Sequence, residues 1–211
     1  MSKGKSRVSE AVIRRLPKYY RYLQDMERVG IQRVSSKELS ERMGLTASQI
    51  RQDFNCFGGF GQQGYGYNVS ELRQQIKKIL GLSNKYNVII VGAGNLGQAL
   101  ANYSGFGKEG FHIKALFDIN PRLVGLSIRG IQIHDIDSMK HYISTNDIDI
   151  GIICTPKNKA QEIANMMIEA GVKGIWNFAP VDVETPEDVI VENVHLSDSL
   201  YVLAYKMNEC E

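Results

Sequence analysis

The sequence is poor in the features that define several common classes of protein. Its 211 residues contain only three cysteines, Cys56, Cys154 and Cys210, which lie far apart and form no CxxC pair. We therefore expect neither a disulfide framework nor a metal site, and a cytoplasmic location is the default. No apolar run approaches the roughly 18 residues that a membrane-spanning helix needs. The basic N-terminus lacks the apolar segment of a secretory signal, so a secreted protein is not expected either.

Charge is unevenly distributed along the chain, although the net charge is only +2. Residues 1–85 carry 16 Lys and Arg against 7 Asp and Glu, a net charge of +9. Residues 86–211 carry 9 against 16, a net charge of −7. We predict two domains with these bounds and different partners. A basic domain commonly meets phosphate, although a merely solvated basic face is the alternative.

The first domain has the pattern of a helix-turn-helix. A helix is predicted over residues 9–28, in which Pro17 either kinks the helix or restarts it. Residues 35–38 and 46–49 each fit the capping-box pattern, and they open two short helices separated at Gly44. If Ile50 and Phe54 of the second helix face inward, its outward face can contact base edges and phosphates. A plain helical hairpin is the alternative. The outward side chains are Ser48, Arg51, Gln52 and Asn55.

A glycine-rich segment follows the second of these helices. Residues 57–67 interleave five glycines with four aromatic side chains, which excludes a helix and suits a tight β-hairpin. A hairpin directly after a recognition helix is the layout of a winged helix, and a flexible linker is the alternative. The residues of this wing that we expect to reach DNA are Gly61, Gln62, Gln63, Gly64 and Tyr65.

A dinucleotide-binding motif opens the second domain. The apolar residues 88–91 predict a buried parallel strand, which leads directly into a GxGxxG loop and a helix. Asp118 ends the next predicted strand, where a carboxylate can accept hydrogen bonds from ribose hydroxyls and repels a 2′-phosphate. We therefore predict NAD(H) binding in preference to NADP(H), with Asp118 as a plain strand-end residue as the alternative. The loop residues expected to bind the cofactor are Gly92, Ala93, Gly94, Asn95, Leu96 and Gly97.

Strands and helices continue to alternate to residue 194, which predicts a Rossmann-type doubly wound parallel sheet. Ligands of such sheets bind at the carboxyl ends of the strands, where the loops 118–122, 155–158 and 177–181 should meet the glycine loop. These loops add four expected cofactor-binding residues, Thr155, Pro156, Ala179 and Pro180. The last helix, over residues 196–207, has an apolar face that packs on its own domain or exchanges with a partner subunit.

No catalytic constellation accompanies this nucleotide domain. The four histidines lack partners at diagnostic spacing, and few residues follow the last predicted strand, so no substrate domain is expected. A nucleotide sensor coupled to DNA, and not an enzyme, is the interpretation that we favour. The alternatives are an NAD-dependent oxidoreductase with a helical accessory domain and a domain that binds coenzyme A or another adenine nucleotide.

Seven motifs along nearly the whole chain are similar to those of one known family. The chain resembles the bacterial Rex family of redox-sensing transcriptional repressors. The motifs that carry the resemblance are RLPKYYRYL (residues 15–23), RQDF (51–54), FGGFG (57–61), GYGY (64–67), VGAGNLG (91–97), NFAP (177–180) and VENV (191–194).

The resemblance implies a homodimer, formed through the Rossmann domain and a swapped C-terminal helix, that represses by binding inverted-repeat operators in double-stranded DNA. It also implies that NADH releases the dimer from DNA while NAD⁺ competes weakly. The nicotinamide pocket would be formed by Tyr103, Ala179, Pro180 and the partner's helix around Leu196. Arg21 and Tyr103 match the arginine and tyrosine that couple the two domains.

The chain departs from the family pattern at several positions. His195 stands where the family usually has an aspartate that pairs with the coupling arginine, and a histidine there would make the switch sensitive to pH. At positions where the family usually has basic and hydroxyl side chains, this chain has Gln52, Asn55, Gln62 and Gln63. Fewer cationic contacts predict a shallower dependence of DNA binding on salt.

Overall fold

The structure is a computed structural model that describes residues 8–60 and 65–209. The chain divides into two compact units, and the boundary lies between Ser83 and Asn84. This division falls two residues before the boundary expected from the charge pattern. No helix among the described residues is both long enough and apolar enough to cross a membrane.

The first unit is mainly helical. One helix contains Pro17 in its interior, so the helix does not restart at this residue. The core is formed where this helix packs its buried side chains, among them Tyr19 and Leu23, against the helices that follow. The elements are α1 (Glu10–Arg28), β1 (Arg33–Val34), α2 (Ser36–Met43), α3 (Ala47–Asn55), β2 (Tyr67–Asn68) and α4 (Val69–Ile79).

The capping signals of the helix-turn-helix are realised to different extents. The Ser35 side chain accepts a hydrogen bond from the Glu38 N–H at 3.1 Å, and the Glu38 carboxylate accepts one from the Ser35 N–H at 2.7 Å, which completes a capping box. Gly44 ends α2 with a left-handed backbone, at a φ of 66°. Thr46 caps α3 by accepting the Gln49 N–H, but the described bonds include no return bond from the Gln49 side chain. The second capping box is therefore only half formed.

The described part of the glycine-rich segment pairs with a strand that the sequence did not predict. Its described strand, β2, runs antiparallel to β1, with Val34 opposite Tyr67, and not to a strand within residues 57–60. The tip, residues 61–64, lies outside the described residues. Gly66 is required beside this pairing because its φ is +71° and a Cβ there would lie 2.8 Å from the Val34 carbonyl oxygen. This pairing was not predicted because β1, two residues long, gives no periodic signal in the sequence.

The second unit alternates strands and helices, as predicted. A single 3₁₀ turn, Ile136–Ser138, replaces the first part of one predicted helix. The elements are β3 (Tyr86–Val91), α5 (Asn95–Asn102), α6 (Gly105–Lys108), β4 (Phe111–Asp118), β5 (Ser127–Ile128), β6 (Ile131–Asp135), α7 (Met139–Thr145), β7 (Ile150–Ile153), α8 (Lys157–Glu169), β8 (Gly174–Asn177), β9 (Ile190–Asn193) and α9 (Asp198–Asn208).

In the described residues of this unit, the strands form one sheet in the order β5-β6-β4-β3-β7-β8-β9. All neighbouring pairs are parallel except β5 and β6, and β5 was not predicted. The order of the parallel strands is that of a Rossmann fold, which confirms the predicted fold class. Side chains of β3 are buried on both faces of the sheet, as for Ile89 on one face and Ile90 on the other. The chain reverses its direction of travel across the sheet between β3 and β7, where such folds bind ligands.

Helix α9 differs from the other long helices because none of its residues is buried. Apolar side chains such as Leu200, Leu203 and Met207 are each more than half exposed. Of the two arrangements left open by the sequence, packing on its own domain is thus not observed for the described part of this helix.

Candidate functional site

Each of the three motif glycines in the loop between β3 and α5 is needed for a different structural reason. Gly92 has a φ of +98°, and a Cβ there would lie 2.5 Å from the Cys154 carbonyl oxygen. A Cβ at Gly97 would collide with the Gly92 carbonyl oxygen, so this glycine lets α5 pack closely on the loop. At Gly94, by contrast, no heavy atom of the described residues lies within 4 Å of the Cβ position. The second glycine therefore leaves the space in which a phosphate group can approach the backbone.

The amino end of α5 offers hydrogen-bond donors to an anion. Gly94 is the N-cap and provides no side-chain cap for the N–H groups of the first turn. Asn95 is exposed beside it, and Leu96 is half-buried. The eight-residue helix directs its dipole at the same point. This end of α5 is therefore suited to a pyrophosphate.

Asp118 fixes the glycine loop to the end of β4. Its carboxylate accepts hydrogen bonds from the Ala93 N–H at 2.6 Å and from the Asn120 N–H at 2.8 Å. A carboxylate has further lone pairs, so Asp118 can still accept bonds from ribose hydroxyls. Ala93 has a different role from the one expected, because its side chain is fully buried and its N–H is already bonded to Asp118. It shapes the loop and presents no group to the cleft.

A cleft of about 510 Å³ opens at the switch point between β3 and β7. This volume is within the range of about 300–1,000 Å³ that is typical of small-molecule sites. Five predicted residues line it, Gly92, Gly94, Asp118, Thr155 and Pro156. The lining residues that sequence reasoning did not identify are Val91, Phe117, Ile119, Ile136, Asp137, Cys154, Lys159, Glu162, Ile163 and Met166.

Two side chains after β7 face this cleft with contrasting chemistry. The Thr155 hydroxyl oxygen is shielded from solvent and has no hydrogen-bond partner among the described residues. Because buried hydroxyls are normally hydrogen bonded, this group is available to a polar ligand. Burial raises the pKa of the neighbouring Cys154 thiol to about 12, so we expect the thiol to be protonated at neutral pH.

The loop after β8 is held by a buried amide that the sequence analysis did not single out. The Asn177 amide nitrogen donates to the Val181 carbonyl at 2.7 Å and to the Asn193 side-chain oxygen at 2.8 Å. Its oxygen accepts a hydrogen bond from the Ala179 N–H at 3.0 Å. Ala179 is buried and Pro180 is exposed, and neither lines the cleft. The loop is thus fixed beside the cleft by bonds that need no ligand.

Tyr103, at the carboxyl end of α5, lies outside the cleft and is 61% exposed. Its ring contacts Phe106 edge-on at 4.8 Å, and Phe106 contacts Trp176 at 5.8 Å. Trp176 in turn lies 4.6 Å from Phe178, at the carboxyl end of β8. A chain of aromatic side chains therefore connects Tyr103 to the sheet edge at which ligands bind.

The other predicted coupling residues are at the surface. Arg21 is exposed on α1 of the first unit, and Leu196 is 59% exposed just before α9. The His195 imidazole lies 2.9 Å from the Asp182 carboxylate. The side chain at position 195 thus contacts a carboxylate instead of supplying one. Among the described residues, no cluster of three or more His, Cys, Asp or Glu side chains is placed to hold a metal ion.

The predicted DNA-binding residues of α3 share one exposed face. Ser48, Arg51, Gln52 and Asn55 are all exposed, whereas Ile50 and Phe54 are buried on the opposite face. The Arg51 guanidinium donates to the Ser36 hydroxyl at 3.0 Å, which orients it at the start of α2.

In the wing, Tyr65 is 71% exposed, and the Arg33 guanidinium lies 6.0 Å from its ring centre and donates to its carbonyl oxygen. The other predicted wing residues, Gly61, Gln62, Gln63 and Gly64, lie outside the described residues.

A buried ionic network, not foreseen from the sequence, joins α3 to α1. The Asp53 side chain is almost fully buried and accepts two hydrogen bonds from Arg15, each of 2.7 Å, and one of 2.7 Å from the Tyr19 hydroxyl. Hydrogen bonding to Asp53 raises the pKa of Arg15, and burial together with Asp53 raises that of Tyr19. The exposed face of α3 is therefore held in a fixed orientation on α1.

These features define a class of protein. A helix-turn-helix unit with an exposed polar face precedes a Rossmann unit with a glycine loop, an acidic residue after the second strand and an open cleft. This is the architecture of a nucleotide-responsive DNA-binding regulator.

Comparisons with known proteins define the family. Residues 7–55 match the family model "Putative DNA-binding protein N-terminus", and residues 83–181 match the model "CoA binding domain". The redox-sensing transcriptional repressor Rex of Clostridium botulinum strain Hall is 63% identical over 98% of this chain and 99% of its own length. The redox-sensing transcriptional repressor Rex of Thermoanaerobacter pseudethanolicus is 60% identical over 100% of this chain and 94% of its own length. The chain therefore belongs to the Rex family of redox-sensing transcriptional repressors, which are not enzymes.

Solved structures of RSP, a Rex-family repressor, are similar to nearly the whole chain. A crystal structure of RSP in complex with beta-NAD⁺ and operator DNA has a TM-score of 0.92 and 60% identity, and covers 96% of this chain and 93% of its own. A crystal structure of RSP in complex with beta-NADH has a TM-score of 0.90 and 56% identity, and covers 97% of this chain and 96% of its own.

Proposed function

We propose that the protein is a cytoplasmic homodimer that represses transcription by binding inverted-repeat operators and is released from them by NADH. The observation that carries the proposal is the presence in one chain of an exposed reading face on α3 and a phosphate cradle at the amino end of α5. The relatives support both DNA binding and nucleotide binding. One structure of RSP contains beta-NAD⁺ and operator DNA, and another contains beta-NADH.

The nucleotide site is proposed to bind NAD(H) across the switch point of the sheet. The pyrophosphate lies against Gly94 and the first turn of α5, where no Cβ obstructs it. Asp118 accepts bonds from the adenosine ribose and repels a 2′-phosphate, which selects NAD(H) over NADP(H). The unpartnered Thr155 hydroxyl hydrogen bonds to the ligand. The nicotinamide end lies toward Tyr103 and the loop of Ala179 and Pro180.

The DNA site is proposed to be the exposed face of α3 together with the wing. Arg51 and Gln52 are the side chains best suited to paired hydrogen bonds with guanine and adenine edges. Ser48 and Asn55 complete this face, and Tyr65, with the other wing residues, reaches the sugar-phosphate backbone. The excess of positive charge in residues 1–85 supplies the general attraction to phosphate.

Dimerisation is proposed to proceed through α9 and the Rossmann unit. The apolar side chains of α9 are unusually exposed for a helix that follows a packed domain, and a second copy of the chain would cover them. If α9 lies on the partner, Leu196 is brought to the partner's nicotinamide pocket. Replacing Leu200 and Leu203 by Asp should convert a dimer to a monomer in sedimentation velocity. Replacing the exposed Tyr201 by Asp tests whether a charge anywhere on α9 is enough to dissociate the dimer.

The switch is proposed to be a thermodynamic linkage. A dimer reads two half-sites only when its recognition helices are separated by a multiple of about 34 Å. If NADH prefers a dimer in which this spacing is wrong, NADH weakens DNA binding, and DNA weakens NADH binding by the same factor. The coupling free energy is typically about 1–3 kcal/mol. Arg21 on α1 and Tyr103 in the Rossmann unit are the proposed coupling residues. His195, which contacts Asp182, takes the place of the usual coupling aspartate.

The experiment that tests this function is fluorescence anisotropy of a labelled inverted-repeat operator, titrated with the full protein alone, with NADH and with NAD⁺. Release by NADH but not by equal NAD⁺ is the expected result. Equal effects of the two nucleotides, or none, would contradict the proposal.

Coenzyme A is the second candidate ligand, because the matching family model is described as a CoA binding domain. It is distinguished by the variant Asp118→Ala. This variant should weaken NADH binding by at least about tenfold, or about 1.4 kcal/mol, because it removes the ribose bonds as well as the bonds that hold the Ala93 and Asn120 N–H groups. The opposite outcome is that coenzyme A binds and competes with NADH, and that Asp118→Ala leaves the affinity for coenzyme A unchanged. This result would support coenzyme A as the ligand and contradict NAD(H).

A further inference from the structure

The Tyr103 ring packs on the segment that follows α5. Tyr103 ends α5, and its N–H donates to the Leu100 carbonyl at 3.1 Å. Its ring lies directly over Gly105, because a Cβ built on that glycine would be 2.6 Å from the ring carbon Cζ and 2.7 Å from the hydroxyl oxygen. Real Cβ atoms do not make contacts this short. The ring therefore occupies space that any other residue at position 105 would need.

Aromatic contacts hold the same ring from a second side. Phe106, the residue after Gly105, meets Tyr103 with an interplanar angle of 72° and meets Trp176 of β8 with one of 81°. Both are the edge-to-face geometry that aromatic pairs prefer. Because Trp176 lies in the sheet, the position of Tyr103 is set relative to the carboxyl end of β8.

The backbone before Tyr103 is held by an arginine in an unusual conformation. Arg129 is the only non-glycine residue with a positive φ, 50°, in the part of the chain that the structure describes. It lies in the two-residue turn between β5 and β6, and its guanidinium donates to the Asn102 carbonyl oxygen at 2.6 Å. An arginine in the left-handed region is strained, and such strain persists where an interaction holds the residue in place. Here that interaction fixes the carboxyl end of α5.

Tyr103 is nevertheless 61% exposed. The Tyr103 side chain packs on Gly105, contacts an aromatic partner and extends from a fixed backbone, yet it is open on one side. It is therefore pre-organised to contact another molecule.

We propose that Gly105 and Arg129 are positioning residues that hold Tyr103 and thereby set the preference of the site for the reduced over the oxidised nicotinamide ring. This inference rests on the proposed function. A ring displaced from its seat admits water to the nicotinamide end. Water stabilises the charged ring of NAD⁺ far more than the neutral ring of NADH, so the preference for NADH falls.

The test compares Gly105→Ala with Gly107→Ala in the full-length protein. Both variants add one methyl group to α6, but the Cβ at position 107 has no heavy atom of the described residues within 4 Å. Affinities for NADH, NAD⁺ and ADP are measured by calorimetry, and ADP reports the adenosine and phosphate end alone. Gly105→Ala should reduce the ratio of NADH to NAD⁺ affinity by about tenfold, the scale of one aromatic contact. ADP affinity should stay unchanged, and Gly107→Ala should match the wild-type protein.

Arg129→Asn is the second variant, because asparagine adopts the left-handed conformation readily and lacks the guanidinium. It should keep or raise the melting temperature while lowering the same affinity ratio, which a merely structural role would not produce. Equal ratios for Gly105→Ala and Gly107→Ala would overturn the inference, as would a parallel loss of ADP binding. If wild-type protein binds NADH and NAD⁺ equally, both the inference and the proposed function fail, whereas a discriminating wild type with unchanged variants overturns the inference alone.

Discussion

The buried network of Asp53, Arg15 and Tyr19 leads to a specific prediction for the variant Asp53→Asn. The substitution keeps the size of the side chain but removes its charge and one of its acceptors. Arg15 then stays in its position without an anion, with its side chain only 21% exposed. We expect the first unit to lose stability and the second unit to be unaffected.

The size of the effect follows from the burial of the pair. Removing one partner of a fully buried ion pair costs about 3–5 kcal/mol. Arg15 retains some contact with water, and the amide introduced by the substitution still offers one acceptor to the Tyr19 hydroxyl, so the lower end, about 3 kcal/mol, is expected. With a urea m value of roughly 1 kcal/mol/M for a small domain, the unfolding midpoint should fall by about 3 M.

The assay uses the single tryptophan of the chain to separate the two units. Trp176 lies in the Rossmann unit, so its fluorescence reports the unfolding of that unit in urea. Far-UV circular dichroism reports the loss of helix in both. Asp53→Asn should produce an early dichroism transition with no change in the fluorescence transition, and it should weaken operator binding without changing NADH affinity.

Asp25→Asn is the matched control, since Asp25 makes an exposed ion pair with Arg28 at 3.7 Å. Exposed pairs contribute about 0–1 kcal/mol, so this variant should behave almost as the wild type. If Asp53→Asn shifts the dichroism midpoint no more than Asp25→Asn does, then the network does not hold α3 on α1 and our reasoning is refuted.

Three further predictions concern the two sites. Gly97→Ala should lower the melting temperature, since its Cβ meets backbone and such overpacking costs about 1–3 kcal/mol. Gly94→Ala should keep the wild-type melting temperature and weaken NADH binding at least about tenfold; equal melting temperatures for both would contradict the assignment. At pH 8 iodoacetamide should alkylate the exposed Cys56 much faster than Cys154, as measured by peptide mapping, because burial raises the Cys154 pKa from 9.0 to about 12. Since the folded-state pKa is the higher one, the protonated thiol favours the folded state below pH 9, and this contribution is lost as pH rises toward 12. Arg51→Ala should lower operator affinity, and if Arg51 contacts a phosphate the slope of log K against log salt should decrease by about 1; unchanged affinity would exclude Arg51 from the interface.

The parts of the site that could be predicted from sequence are those set by local backbone geometry. Gly92 and Gly97 lie at fixed spacing in a loop where a Cβ would collide with backbone, so the motif alone identifies them. The exposed face of α3 followed from helical periodicity. The half-formed capping box at Thr46 shows the limit of such reasoning, since a residue type permits a hydrogen bond without forming it.

The parts that could not be predicted depend on residues far apart in sequence. Asp53 bonds to Tyr19 across 34 residues, and nothing in the α3 pattern marks an aspartate on its buried face as paired. The available hydroxyl of Thr155 exists only because the surrounding strands and helix shield it. Ala93 belongs to the glycine motif, but its N–H is taken by Asp118, 25 residues away.

The hydrogen bonds of Asn177 bear on how quickly a sensor of this kind can respond. The loop of Ala179 and Pro180 takes its shape from hydrogen bonds that run to the protein's own backbone and to Asn193. In the proposed nucleotide site, this loop therefore needs no ordering step of its own when a nucleotide binds. A site that exchanges its ligand without a folding step can follow a fluctuating NADH pool instead of averaging over it.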